Sequence, residues 1–421
     1  MLPSRIFLLF HINMLDRLPF GLKPSPAMLL LVLCKILILD ITDDAQEIRD
    51  LKRCIYDLCY MDNCACTTNS TYTLHWAFNQ LKDIFEPYKF SLQQFVTNEM
   101  KLQSIIDEHA KESTPTKVKL FGLIWDRTEE DTLATQSLNL DKMASSKREI
   151  LRSIASNYDI LNFNMPLLNR ARLFMQKLQY MKDLEWDTRL PEEKLQEWRN
   201  IATQVNSAPE VAVKRYVGRR DGSYKLVAFT DSSRVIYVTV IYILNETTNE
   251  LRFLLSKNRL INKQLSTKSI PCLEFQAIAF GTEVLIDTFK ELAGPICVQP
   301  INITGLELYT DSLVCLNWLN SHVNKIDAFV INRLHNICQL CEVHPIAFNF
   351  CGGSVNPANS ASRPTSYQML MKSSFLTGPP HLCKDVKGDC FNVVIPNPLI
   401  SGSKMNRNDD SSELCCNCSA W

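Results

Sequence analysis

Between residues 224 and 363, three successive β-like runs (YKLVAFTD, VIYVTVIYIL, LRFLLSKNRL) lead into one long helical stretch, CLEFQAIAFGTEVLIDTF, and then a fourth strand, LELYTD. Two more helical stretches, SLVCLNWLNSH and AFVINRLHNICQL, precede a last strand, HPIAFNFC. The NETTNE segment between the second and third runs is polar and of hairpin length. Strands joined by short polar turns pair antiparallel, whereas a strand reached through a helix pairs parallel. The order therefore predicts an α/β mixed (α+β) fold, a mixed central sheet with helices on its faces.

Three acids fall at the boundaries of these elements: Asp231 in LVAFTDSS, Glu274 in IPCLEFQAIAF and Asp311 in GLELYTDSLVCLNWL. Phosphodiester hydrolysis by two metal ions needs several carboxylates converging on cations roughly 3.5–4 Å apart, and carboxylate oxygens suit Mg²⁺ or Mn²⁺. Strand ends beside small hydroxyl residues are suitable places to hold them. Taken singly, each acid is as readily a turn residue or a helix cap, as Asp311-Ser312 would be for LVCLNWL. The ordered triple inside the strand pattern is what points to metal binding. His322, His335 and His344 are scattered, and Trp318 reads as core rather than as a base-stacking platform.

At 421 residues, 46% hydrophobic and 21% charged, the chain carries apolar material for two or three cores. Lysine plus arginine equals aspartate plus glutamate at 45 each, so net charge selects no partner. Local charge is more telling. The stretch 251–268 holds Arg252, Lys257, Arg259, Lys263 and Lys268 without an acid, and Lys214, Arg215, Arg219 and Arg220 precede the first acid-bearing strand. Such patches suit the phosphates of an RNA–DNA hybrid or a single strand, although a solvated basic face has the same composition.

The sixteen cysteines follow no disulfide or zinc spacing, and the pair Cys338 and Cys341 sits in a stretch with helical apolar recurrence. RIFLLF is too short for a signal-peptide core. The apolar stretch from Ala27 to Ile41 is interrupted by Lys35 and Asp40 and falls short of the roughly 20 residues a bilayer needs, so it reads as a buried helix. Reduced thiols, an intracellular location and no membrane partner are the expectations.

Upstream, CIYDLCYMDNCACTT reads as a hairpin presenting Asp62, followed by a helix from Thr73 to Phe85 and a strand at VKLFGLIWD. From Lys142 to Asn206, SSKREILRSIASNYD and LLNRARLFMQKLQYMKDLEW show the helical recurrence of apolar residues. The division expected is 1–140, a helical connection 141–206, the mixed-sheet domain 207–382, and a tail 383–421 whose Asn-, Ser- and Cys-rich ending lacks periodicity.

Strand order and acid placement resemble the ribonuclease H fold. RLPFGLKPSPAML, CYMDN, FSLQQFVTNEMKL, KVKLFGLIWD, SKREILRSIASNYD, EWDTRLPEE, FTDSS, SIPCLEF, YTDSLVCLNWL, FVINRLHNI, VNPANSASR and FLTGPPHL, in this order over about residues 15–382, resemble the reverse transcriptase to ribonuclease H portion of a BEL/Pao retrotransposon polyprotein. The resemblance implies a truncated polymerase palm and thumb remnant up to residue 140, with Phe20 and Gly21 against template and nucleotide. Tyr60, Met61, Asp62 and Asn63 stand where the family has a YxDD turn. Asn63 replaces the second aspartate and only about nineteen residues precede Phe20, so polymerase activity is expected to be absent.

For ribonuclease H chemistry the resemblance implies that Asp231, Glu274 and Asp311 bind Mg²⁺ (or Mn²⁺) and that a bound water attacks the RNA strand of an RNA–DNA hybrid. Arg219, Arg220, Ser232, Ser233, Lys257, Arg259, Lys263 and Ser312 would contact nucleic acid. The fourth position of the family's NPADxxSR is here Asn359, which lacks the charge, and Glu283 on the opposite side of its helix does not compensate. Weak metal-dependent cleavage is one expectation. A non-catalytic nucleic-acid-binding remnant and a relic chain that does not fold stably are the alternatives.

Overall fold

The computed structural model describes residues 23–380, apart from 41–43, 61–62, 67–70, 91, 93–94, 129, 219–221, 294–300 and 321–326. The readings placed on Phe20, Gly21, Asp62, Arg219, Arg220, His322 and the tail lie outside the described residues.

Helix α1 (Ser25–Cys34) runs into a π turn at Lys35–Leu39, followed by α2 (Gln46–Asp57), the hairpin β1 (Cys59–Tyr60) and β2 (Asn63–Cys64), and α3 (Thr71–Phe85). The expected hairpin is there, with Tyr60 opposite Asn63. The stretch read as a buried helix is helical but buried on one side only. Leu33, Ile36 and Leu37 pack against Leu51, Ile55 and Phe85, whereas Met28, Leu30, Leu31, Val32 and Leu39 are exposed. A unit of three short helices has too little opposing surface to cover an all-apolar helix on every side. No described helix is long and apolar enough to cross a membrane.

After α4 (Met100–Ala110), the stretch VKLFGLIWD, read as one strand, is two: β3 (Lys117–Leu120) and β4 (Leu123–Asp126) pair antiparallel. Phe121 and Gly122 both take left-handed φ, 51° and 81°, as a two-residue hairpin turn demands, and the glycine makes this affordable. β5 (Thr132–Ala134) adds to β4. Three helices follow, α5 (Lys147–Ala155), α6 (Met165–Tyr180) and α7 (Glu192–Asn206), and then β6 (Ala212–Lys214) returns to pair with β5. The helical segment is thus inserted between two neighbouring strands of a four-stranded sheet.

The central sheet comprises β7 (Ser223–Ser232), β8 (Ile236–Asn245) and β9 (Glu250–Leu260), then, beyond the single helical turn α8 (Lys263–Ser266) and the long α9 (Ile270–Ala293), β10 (Asn302–Thr310). After α10 (Leu313–Asn320) and α11 (Ala328–Val343) comes β11 (Ala347–Phe350), and α12 (Tyr367–Lys372) closes the described fold. The spatial order is β11-β10-β7-β8-β9, with β8 antiparallel to both β7 and β9 and β10 parallel to both β7 and β11.

β8 is buried on both faces from Ile236 to Ile243, so its sequence lacks alternation. One face packs against α9 and α11 through Leu226, Ala228, Ile241, Leu273, Ile278 and Leu308. The other packs against α6 and α7 through Val227, Phe229, Val240, Phe174 and Trp198. Helix α9 approaches the sheet closely at Gly281, where a Cβ would stand 2.4 Å from Thr230 Cγ2.

Candidate functional site

Parallel pairing of β7 and β10 sets the site. Tyr309 lies opposite Phe229, so two residues on, past the end of β10, Asp311 comes level with Asp231. Glu274 enters from the start of α9. Asp231 is only 6% exposed. Burial raises its pKa, outweighing the opposing influence of the nearby Ser362 hydroxyl, the Ser232 backbone N–H and Arg363. Burial also raises Glu274, with Asp231 adding to the effect and the Ser312 hydroxyl opposing it. Burial pushes Asp311 up to about 6, and the charges of Asp231 and Glu274 contribute in the same direction. The three expected acids therefore meet closely enough to repel one another.

Two of their oxygens, Asp231 Oδ2 and Asp311 Oδ1, are buried with no hydrogen-bond donor among the described residues. Buried carboxylate oxygens without donors are costly, and a divalent cation bound by hard oxygen ligands relieves both this and the mutual repulsion. The donor set fits Mg²⁺ or Mn²⁺. Among the described residues, however, no three His, Cys, Asp or Glu side chains form a ready-made metal cage, so the carboxylates would have to close in on the ion.

The segment after β11 lines the site. Asn356 donates from Nδ2 to Thr230 O at 3.1 Å and stands near Asp311, tying this segment to the end of β7. Asn359, in the 3₁₀ turn Pro357–Ser360, donates from Nδ2 to Gly353 O at 2.6 Å. A Cβ on Gly353 would meet Asp311 Oδ2 at 2.9 Å and Asn359 Nδ2 at 3.4 Å, so the expected fourth position does border Asp311. Residues not singled out from sequence complete the wall: Asn356, Ser362, Arg363 and the buried Cys351, whose thiol is pushed up by burial and by Asp311 and Asp231. Cys351 carries no local signal of this contact, whereas Asn356, Ser362 and Arg363 fall within VNPANSASR, a segment that carries the family resemblance.

The hydroxyls expected to face nucleic acid have internal partners. Ser232 donates to Ser233 O and Ser233 to Ser362 O, and Ser312 accepts from Cys315 N, capping α10. Lys257 and Arg259 leave β9 towards the α9 side, where Arg259 lies 5.1 Å from the Phe280 ring centroid. Lys263 lies over Tyr180. Glu283 is beside Arg259, Asp287 and Arg333, away from the acids. Asn63 pairs with Tyr60 in the short hairpin.

Residues 146–312 match the family described as Pao retrotransposon-like RNaseH-like domain. No curated protein matches the chain. Among solved structures it is similar to foamy viral protease–reverse transcriptase in complex with dsDNA, at 12% identity and TM-score 0.47, over 80% of this chain and 60% of that one. It is similar to LC11-RNase H1 in complex with RNA/DNA hybrid at 13% identity and TM-score 0.24, over 31% of this chain and 88% of that one. RNase H1 from the halophilic archaeon Halobacterium salinarum NRC-1 gives 10% identity and TM-score 0.23, over 36% and 98%. The chain spans 50% of another foamy viral protease–reverse transcriptase chain, solved with double-stranded DNA. The family match begins at α5, takes in the helices that share a core with the sheet, and includes all three acids. Residues 146–312 are a Pao retrotransposon-like RNaseH-like domain.

Proposed function

We propose that the chain is a retrotransposon-derived reverse transcriptase and ribonuclease H segment that binds RNA–DNA hybrids and cleaves their RNA strand slowly with Mg²⁺ or Mn²⁺. The observation that carries this reading is the clustering of Asp231, Glu274 and Asp311, whose pKa values burial raises, with Asp231 adding to the rise of the other two and Glu274 to that of Asp311, while among the described residues two buried oxygens lack donors. Divalent cations held there would lower the pKa of a bound water and neutralise charge on the scissile phosphate. Ser362, Ser312 and Asn356 each stand beside one acid and favour its charged form. The nucleophile is water, so no side chain needs to be activated.

Asn359 argues for slowness. It is neutral, and its Nδ2 is committed to Gly353 O, so it brings no fourth charge to the cluster. That same observation favours the second reading, a nucleic-acid-binding remnant without chemistry. In the upstream hairpin, Asn63 stands in place of a second aspartate, and this part is read as lacking polymerase chemistry. The deciding experiment is degradation of a labelled RNA–DNA hybrid by the purified chain with Mg²⁺ or Mn²⁺, beside Asp231→Asn. Cleavage abolished by Asp231→Asn supports the nuclease. Binding without cleavage in either cation selects the remnant.

A further inference from the structure

The helix α6 meets the edge strand β9 along a polar seam rather than an apolar one. Asn169, Arg172, Gln176 and Tyr180 recur at spacings of three and four residues and so share one face of the helix. Asn169 donates to Ala361 O at 3.1 Å and accepts from Asn258 Nδ2 at 3.0 Å. Gln176 donates to Ile261 O at 2.9 Å. At the far end Lys263 Nζ lies 4.5 Å from the Tyr180 ring centroid. The near end adjoins the acids, because Ala361 precedes Ser362, which lies beside Asp231.

Arg172 in the middle of this seam is unusual. It is half-buried, yet among the described residues no carboxylate lies within ion-pair distance of it, and its hydrogen bonds run to Asn169 Oδ1, Asn258 Oδ1 and Met165 Sδ, all from Nη1. Nη2 and Nε have no hydrogen-bond partner among the described residues, so two of the three nitrogens are uncommitted while Nη1 is anchored. Burial lowers its pKa to about 10, which leaves it charged at neutral pH. A desolvated cation without a counter-ion is costly to keep, and a planar guanidinium held by one nitrogen presents the other two as a ready fork for a phosphate.

We propose that the α6–β9 seam is a phosphate-binding track in which Arg172 grips, and Lys263 further along attracts, the backbone of a nucleic-acid strand leading away from the acid cluster. From Asn169 to Tyr180 the helix advances about 16 Å, roughly five nucleotides at 3.4 Å each. The track places a contact on the helical segment itself, outside the sheet and outside the basic runs seen in the sequence. It rests on the nucleic-acid reading above.

The test measures binding of a labelled RNA–DNA hybrid to the full chain in EDTA, from about 50 to 200 mM salt, so that cleavage plays no part. Arg172→Met should bind roughly tenfold more weakly, with the slope of log affinity against log salt reduced by about one. Arg172→Lys should recover the slope but not the full affinity, since the ammonium cannot fork. Arg172→Met should also melt no lower than the parent, because an unpaired cation is replaced by an apolar chain of similar length. Unchanged binding by Arg172→Met, or weaker binding accompanied by a lower melting temperature and rescued by no cation, overturns the proposal. If Arg172→Met does not fold, Lys263→Ala decides: a smaller slope supports the track and an unchanged one overturns it. A parent chain that binds no hybrid refutes the functional reading itself, a result distinct from a parent that binds and variants that bind equally.

Discussion

Replacing Asp311 by asparagine should stabilise the metal-free protein. In the folded chain the Asp311 carboxyl titrates at about 6 rather than at 3.8, because it is buried and faces Asp231 and Glu274. The folded state therefore binds more protons than the unfolded chain between these values, so this group's favourable contribution is full below pH 3.8 and lost as pH rises through about 6. At 1.36 kcal/mol per pH unit the displacement sets a ceiling of about 3 kcal/mol of destabilisation at pH 7.5, and about half of that at pH 5, which solvent screening of this half-buried group reduces. Asparagine keeps the shape and removes the charge. Urea denaturation in EDTA should show Asp311→Asn more stable than the parent by about 1–3 kcal/mol at pH 7.5, with the gap shrinking towards pH 5. Millimolar Mg²⁺ should stabilise the parent and leave the variant nearly unmoved. An asparagine variant less stable than the parent at pH 7.5 in EDTA, or a gap independent of pH, would refute the claim that these carboxylates repel one another.

Gly281→Ala should cost about 1–3 kcal/mol in urea denaturation, since its Cβ would stand 2.4 Å from Thr230 Cγ2 and 3.3 Å from Leu308 Cδ1. It should slow any hybrid cleavage as well, because Thr230 adjoins Asp231. Tyr242→Phe should cost about 1–2 kcal/mol, because the buried hydroxyl donates to Phe375 O at 2.5 Å and its loss leaves that carbonyl unsatisfied. Asn359→Asp should destabilise the metal-free chain by about 1–3 kcal/mol, exchanging the donor to Gly353 O for a fourth negative charge beside Asp311. With Mg²⁺ present it should raise the hybrid cleavage rate, and a rate no higher than the parent's would remove residue 359 from the metal site.

The sheet was legible because its elements are long and its turns short. YKLVAFTD, VIYVTVIYIL and LRFLLSKNRL could hardly be anything but strands, and the helix between them and LELYTD fixed where pairing turns parallel. Strand pairing then carries Asp231 and Asp311 to the same level without any reference to their chemistry. Legibility failed where geometry depends on one residue or on distant partners. Phe121-Gly122 folds KVKLFGLIWD back on itself, yet a phenylalanine in left-handed conformation is not a turn signal. The grip of Asn356 on Thr230 O joins residues 126 apart and leaves no periodic trace. Arg172 is hidden for the opposite reason: within LLNRARLFMQKLQYMKDLEW it looks like one more polar residue on an amphipathic helix, and only the tertiary arrangement shows that no acid comes to meet it.

Helices α6 and α7 lie against the sheet face that carries Val227, Phe229 and Val240 and share its cover with Leu370 and Phe375. Excising residues 207–382 would strip it, baring a greasy plane and leaving β6 without the neighbour it finds in β5. Such a piece should clump rather than stay dispersed, whereas one beginning near residue 130 keeps both the cover and the strand partner. The nuclease-like half and its helical preface are, in physical terms, a single inheritance that cannot be divided at the point where the helices end.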